Sequence, residues 1–73
     1  MLEVRLFATF REGRGKVVNL DAAQYPDINS ILKDLDIPPE EVAILLINGR
    51  HNKPEARVKD GDVIALFPPV GGG

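Results

Sequence analysis

Cysteine and tryptophan are absent from this sequence of 73 residues, and histidine occurs once, as His51. Without cysteine, the chain can form neither a disulfide nor a thiolate metal site. A single histidine among scattered carboxylates lacks metal-ligand spacing, so we expect no bound metal. Thr9 and Ser30 are the hydroxyl-bearing candidates for a nucleophile, which would also need an oriented base. We therefore do not expect an enzyme.

A strong excess of one charge is also lacking, because nine Lys and Arg residues and eleven Asp and Glu residues give a net charge of −2. This balance argues against non-specific nucleic-acid binding and against a polybasic membrane site. Glu3 and Arg5 interrupt the first apolar stretch, which is therefore expected to be neither a signal peptide nor a membrane-spanning helix. We expect a cytoplasmic protein.

Hydrophobic patterning predicts five short strands. Alternation indicates a strand over residues 2–9. The β-branched residues Val17 and Val18 predict a second strand over residues 16–20, which a glycine-rich turn places at hairpin distance from the first. The all-apolar residues 43–47 precede an Asn-Gly turn signal and predict a third strand buried on both faces. Strands over residues 56–58 and 62–67 follow. In the first strand, one face should carry Leu2, Val4, Leu6 and Ala8, and the other Glu3, Arg5, Phe7 and Thr9.

One helix is predicted between the second and third strands. Asp27 is a suitable N-cap, the following apolar residues recur at helical spacing, and the helix should end near Asp36. A short helical turn is expected over residues 38–42. The order ββαβββ predicts an α+β fold, with four to five strands in a mixed sheet and the helix on one face. It resembles the β-grasp, or ubiquitin-like, fold, in which the first and last strands lie side by side at the sheet's centre.

The strands contain more apolar residues than one helix can cover. Phe7 falls on the uncovered face of the first strand, and Ala65 and Phe67 fall on that face of the last. With part of the 43–47 run, they could form an open apolar patch that marks a protein interface. Alternatively, Phe7 packs under a loop.

The chain ends in Phe67-Pro68-Pro69-Val70-Gly71-Gly72-Gly73. Prolines break strand pairing and stiffen the exit, and glycines can thread a channel too narrow for other residues. A frayed end or an expression scar is the alternative explanation.

This ending resembles the C-terminus of the MoaD/ThiS family of small sulfur carriers, whose pattern is Phe-Pro-Pro-aliphatic, one variable residue and Gly-Gly. Leu6-Phe7-Ala8 followed by Arg11-Glu12 resembles the start of the small subunit of molybdopterin synthase. Asp60-Gly61-Asp62-Val63 resembles its turn into the last strand.

The resemblance implies a β-grasp domain over residues 1–68 and a flexible C-terminal tail over 69–73. An ATP-dependent, MoeB/ThiF-like enzyme would adenylate Gly73, and sulfur would replace the adenylate to give a thiocarboxylate. The acceptor would be the large subunit of molybdopterin synthase or thiazole synthase. The carrier would bind no permanent cofactor, since ATP belongs to its partner. The expected partner-binding residues are Phe7, Arg11, Phe67, Pro68, Pro69, Val70, Gly71 and Gly72.

Three other functions stay open. The same resemblance allows a carrier in the thiamine pathway, which is the second choice after molybdenum or tungsten cofactor synthesis. It also allows a ubiquitin-like modifier joined to lysines through Gly73. A pure interaction module with an incidental glycine tail is the third alternative.

Overall fold

The first and last strands lie side by side near the centre of a five-stranded mixed sheet, with the strand order β2-β1-β5-β3-β4. The computed structural model describes residues 1–69. β1 and β5 run parallel, and the other neighbouring strands run antiparallel. The elements are β1 (Leu2–Leu6), β2 (Val17–Leu20), α1 (Ile28–Asp34), β3 (Ile44–Ile47), β4 (Arg50–His51) and β5 (Val63–Phe67), with 3₁₀ turns at Ala8–Arg11, Ala22–Gln24 and Pro39–Glu41.

The domain boundary after residue 68 stays a prediction. Pro69 is exposed and is the last described residue of the predicted tail over 69–73. Val70, Gly71, Gly72 and Gly73 lie outside the described residues.

The core forms between helix α1 and one face of the sheet. Alternate residues of β1 and β5 point toward the helix because successive strand side chains face opposite ways. Val4 pairs with Ile64, and Leu6 with Leu66, so these residues form cross-strand rows on that face. The fully buried side chains are Leu2, Val4, Leu6, Ile28, Ile31, Leu32, Ile64 and Leu66.

Strand β1 ends three residues before the predicted boundary at residue 9. Ala8 has a φ of 53°, in the left-handed region that alanine rarely adopts, and the chain enters the 3₁₀ turn Ala8–Arg11. The prediction that Ala8 faces the core is therefore wrong. The turn buries Phe10 instead, leaving its side chain 5% exposed.

The third and fourth strands also differ from the predictions. In β3, Leu45 and Ile47 are buried but Ile44 is 39% exposed, so the strand is not buried on both faces. The predicted strand over residues 56–58 is absent from the described residues, where Arg57 makes one isolated bridge with Asp27. β4 follows the Asn-Gly turn instead.

Helix α1 is capped at both ends by hydrogen bonds. The Asp27 carboxylate accepts from the Ser30 amide at 2.9 Å, as the N-cap prediction required. At the C-terminus, the Ile37 amide donates to the Leu32 carbonyl at 2.9 Å in a Schellman arrangement. The Arg14 side chain, from the β1–β2 loop, donates to the Leu35 carbonyl at 2.9 Å. Arg14 therefore ties the hairpin to the helix, a role that sequence reasoning missed.

A buried carboxylate joins two turns at one end of the sheet. Asp62, 4% exposed, accepts from the Asn48 side chain at 3.0 Å and from the Lys59 amide at 2.9 Å. The Asn48 oxygen accepts from the Val63 amide at 3.0 Å. Burial alone would raise the pKa of Asp62, but these hydrogen bonds and the Lys59 charge lower it. Asp62 therefore has a structural role.

We expect Asp62→Asn to lower the free energy of unfolding by about 1–3 kcal/mol, because a donor would replace an acceptor facing two donors. Urea unfolding followed by circular dichroism measures the change. Glu55→Gln is the matched control, since Glu55 is exposed. An equal, small effect of both substitutions would contradict the structural role.

The same carboxylate predicts acid sensitivity. Because folding lowers the pKa of Asp62, its stabilisation is complete above the unfolded pKa of about 3.9 and is lost as pH falls through the folded value. The Tm difference between the wild type and Asp62→Asn should therefore shrink between about pH 5 and pH 2. Calorimetry across this range tests the expectation, and a difference that grows on acidification would contradict it.

Candidate functional site

Two phenylalanines stack where β1 and β5 end. Because Leu6 pairs with Leu66 in parallel register, the residues that follow, Phe7 and Phe67, emerge at the same edge. Their ring centroids lie 4.1 Å apart and their planes differ by 8°. Both side chains are half-buried, so the pair forms part of the surface rather than the core. The prediction that both lie on the uncovered face is confirmed.

Arg11 extends this aromatic pair. Its Nε donates to the Leu6 carbonyl at 2.8 Å, which fixes the guanidinium near the end of β1. The guanidinium carbon lies 5.3 Å from the Phe7 ring centroid, within the range of a cation–π interaction. The Ala8–Arg11 turn makes this possible because it folds the chain back beside Phe7.

The stacked rings form one wall of an apolar groove of about 350 Å³, which we call the aromatic groove. β3 supplies the opposite side, since Ile44 pairs with Phe67 and the Ala43 amide donates to the Phe67 carbonyl at 2.8 Å. The groove is lined by Phe7, Ala8, Thr9, Ala43, Ile44, Phe67, Pro68 and Pro69.

The aromatic groove brings together four of the predicted partner-binding residues. Phe7, Phe67, Pro68 and Pro69 line it, and Arg11 lies over Phe7. The predicted residues Val70, Gly71, Gly72 and Gly73 lie outside the described residues. Their roles, like the binding role of the others, stay predictions.

Sequence reasoning missed Ala8 and Thr9 as lining residues because it continued the first strand through them. The left-handed Ala8 redirects both toward the groove. Ile44 belonged to the expected apolar surplus of the third strand, but its individual position was not predicted. Its pairing with Phe67 supplies that position.

The described residues place few reactive groups together. In residues 1–69, no cluster of three or more His, Cys, Asp or Glu side chains could hold a metal ion. Ser30 is engaged in the helix cap, and His51 is exposed on β4. The exposed Tyr25 hydroxyl donates to Asp34 at 2.6 Å, and this hydrogen bond raises the pKa of Tyr25.

Within the same part of the chain, residues 1–69, no helix is long and apolar enough to cross a membrane.

Three comparisons relate this geometry to known proteins. The model of the ThiS family matches residues 4–73. Small archaeal modifier protein 3 of Haloferax volcanii is 31% identical, over 99% of this chain and 98% of that protein. Small archaeal modifier protein 1 of H. volcanii has a TM-score of 0.75 at 25% identity, over 94% of this chain and 97% of that one.

A second similar structure comes from the complex of subunits 1 and 2 of the molybdopterin-converting factor of Helicobacter pylori. The TM-score is 0.62 at 28% identity, over 99% of this chain and 97% of that chain. These similarities confirm the ubiquitin-like β-grasp fold.

We expect Phe7→Ala to destabilise the fold by about 1 kcal/mol, the scale of one exposed aromatic stack. The comparison variant is Phe10→Ala, which removes a core ring and should cost about 3–5 kcal/mol. Chemical unfolding of both variants gives the two values. If the Phe7 substitution costs as much as the Phe10 substitution, Phe7 belongs to the core rather than to a binding surface.

Proposed function

The chain belongs to the ThiS family, whose members are small ubiquitin-like carriers and modifiers, and from this premise we propose that it is a sulfur carrier. In this proposal, an ATP-dependent activating enzyme of the MoeB/ThiF type adenylates the carboxyl group of Gly73. Sulfur then replaces the adenylate, and the thiocarboxylate donates that sulfur to an acceptor enzyme. The chain itself would catalyse no step.

The observation that carries the proposal is the position of the aromatic groove. The last two described residues, Pro68 and Pro69, form part of its lining, so a partner docked there would sit beside the base of the tail. Four further residues lead from Pro69 to Gly73 and, when extended, span roughly 13–14 Å. A docked enzyme could therefore receive the terminal carboxylate in an active site at that distance.

The residues of the groove suit reversible docking. Phe7 and Phe67 present a preformed flat surface whose stacking costs little further ordering on binding. Arg11 adds a charge held in place by its hydrogen bond to the Leu6 carbonyl. Aromatic and arginine side chains are the residues that most often dominate binding energy at protein interfaces.

The chemistry of the tail follows from the poor reactivity of a carboxylate. At neutral pH, a terminal carboxyl group with a pKa of about 3.3–3.7 is ionised and resists attack at its carbon. Transfer of AMP from ATP, with release of pyrophosphate, turns one carboxylate oxygen into part of a leaving group. A persulfide sulfur then attacks that carbon and expels AMP, which gives an acyl disulfide between Gly73 and the sulfur donor. A thiol then attacks the donor's sulfur atom, forms a new disulfide with it and releases the thiocarboxylate on Gly73.

Synthesis of the molybdenum or tungsten cofactor is the pathway we propose. The similar chain from H. pylori occurs in a complex of subunits 1 and 2 of the molybdopterin-converting factor. The residues of this chain that resemble the small subunit of molybdopterin synthase are Leu6-Phe7-Ala8, Arg11-Glu12 and the Phe-Pro-Pro exit. The acceptor would then be the large subunit of molybdopterin synthase. Thiazole synthase, in the thiamine pathway, is the second choice.

Protein modification is the second candidate function. It is favoured by the similarity, over 99% of this chain, to a protein named small archaeal modifier protein 3. The same adenylated Gly73 would then react with a lysine amine to form an isopeptide bond. The two functions share the activation step, and one protein can perform both.

Deleting Gly73 should abolish adenylation while leaving the fold intact. Gly72 would then end the chain, and its carboxylate would lie one residue short of the reaction centre. We expect a loss of at least about 100-fold in ATP–pyrophosphate exchange with the activating enzyme. Lys33→Gln is the control, since Lys33 is exposed on helix α1 and is not one of the predicted partner-binding residues, so exchange should be unchanged. Unchanged exchange after the deletion would contradict the proposal.

Intact mass of the protein purified from its own cells distinguishes the two candidates. A carrier should show the replacement of one oxygen by sulfur; oxidation of Met1 adds nearly the same mass, so fragmentation must place the added mass on Gly73. A modifier should leave its own C-terminal peptide on lysines of other proteins, which after cleavage by trypsin behind Lys59 comprises residues 60–73.

A further inference from the structure

Basic residues concentrate around the outer strand β4. Residues 50–59 contain four of the nine Lys and Arg residues but only one of the eleven Asp and Glu residues. Residues 21–41 show the reverse, with six acidic residues and one lysine. Since the whole chain has a net charge of −2, this positive segment stands out against the charge of the rest.

Three of these cations have no ion-pair partner among the described residues. We call Arg50, Lys53 and Arg57 the basic edge, and all three side chains are exposed. Within residues 1–69, the ion pairs involve other cations, such as Lys59, whose Nζ lies 3.9 Å from Asp62. The charges of the basic edge therefore do not serve the fold through pairing.

The backbone that carries the basic edge is held in place. Arg50 belongs to β4, which pairs with β3. The following loop is bound to the start of helix α1: the Ile28 amide donates to the Ala56 carbonyl at 3.0 Å, and the Asn29 amide to the Pro54 carbonyl at 2.9 Å. Lys53 and Arg57 are thus displayed from an anchored loop, which lowers the entropy cost of binding.

The basic edge begins beside the aromatic groove and runs away from it along β4. β3 contributes Ile44 to the groove and pairs with β4 on its other side. The Asn52 amide donates to the Leu45 carbonyl at 3.0 Å, so Lys53 follows at the same end of β3 as Ile44.

The other two cations lie farther from the groove. Arg50 pairs with Ile47 at the opposite end of β3, and Arg57 bridges to Asp27 before the start of helix α1. A protein docked on the groove would meet Lys53 directly and would reach Arg50 and Arg57 by extending along β4.

We propose that the basic edge binds an acidic surface of the activating enzyme, next to the apolar surface that occupies the aromatic groove. This inference rests on the proposed function, because it names the electrostatic part of that same docking. Nucleic acid fits the surface less well, since residues 50–59 contain no Phe, Tyr or Trp for base stacking and the chain is acidic overall.

The test compares association rates of the activating enzyme with the wild type and with the triple variant Arg50→Gln, Lys53→Gln, Arg57→Gln. At low salt, we expect the triple variant to associate about 10-fold more slowly, with a smaller change in the dissociation rate. The difference should nearly vanish at about 0.5 M NaCl, where the Debye length is short. Stopped-flow fluorescence at both salt concentrations gives these rates.

Two single variants, Lys53→Gln and Lys33→Gln, provide a matched comparison in which Lys33→Gln is the control. Both remove one exposed lysine, but Lys33 lies on helix α1. Slower association for the Lys53 variant alone supports the inference. Equal rates for the wild type and the triple variant at low salt overturn it, and the cations would then only protect an edge strand from aggregation.

Failure of the proposed function gives a different result. If the wild-type chain is neither bound nor adenylated by the enzyme, both proposals fail together. If the wild type is adenylated but the triple variant associates at the same rate, only the inference about the basic edge fails. Binding of a ten-nucleotide single-stranded RNA through the same three residues, without salt-dependent binding of the enzyme, also overturns it.

Discussion

The parallel pairing of β1 with β5 is the constraint on which the rest of the molecule depends. Parallel strands cannot be joined by a tight turn, so the chain between them must cross the sheet, and helix α1 provides part of that connection. The register brings Phe7 beside Phe67, and it makes the chain leave the sheet next to both rings. One backbone pairing thus builds the core, the aromatic groove and the base of the tail.

The polar residues of the domain divide into those the fold uses and those it leaves exposed. The fold uses Arg14 to cap the C-terminus of the helix. It uses the hydrogen bond between Asn48 and Asp62 to join two turns. The basic edge has no such internal partner in residues 1–69. The apolar residues divide in the same way into buried and exposed ones, because a single helix covers only one face of the sheet. What remains uncovered lies around β3, β4 and the end of β5, and this is the side that a partner would meet.

Much of the fold could be predicted because β1 alternates strictly, turn signals flank β3 and β5, and the helix has a clear cap. The faces of β5, the N-cap Asp27 and the position of Phe7 opposite the core all follow from spacing. Ala8 could not be predicted, since a left-handed alanine is unfavourable locally and is held there by the burial of Phe10. β4 has two polar residues and no pattern, whereas residues 56–58 alternate but form a loop against the helix. The groove required tertiary information, because β3 and β5 meet through pairing between distant parts of the chain.

The central position of β5 also decides how the domain responds to force. A partner that holds the tail pulls on the end of β5, along the direction of the strand. Because β5 is hydrogen-bonded to β1 on one side and to β3 on the other, the load falls on both ladders at once and shears them together. An edge strand pulled in the same direction would be held by one ladder only. If a partner grips and modifies the tail as proposed, the force therefore acts on the most firmly held strand of the sheet, and the domain can resist unravelling.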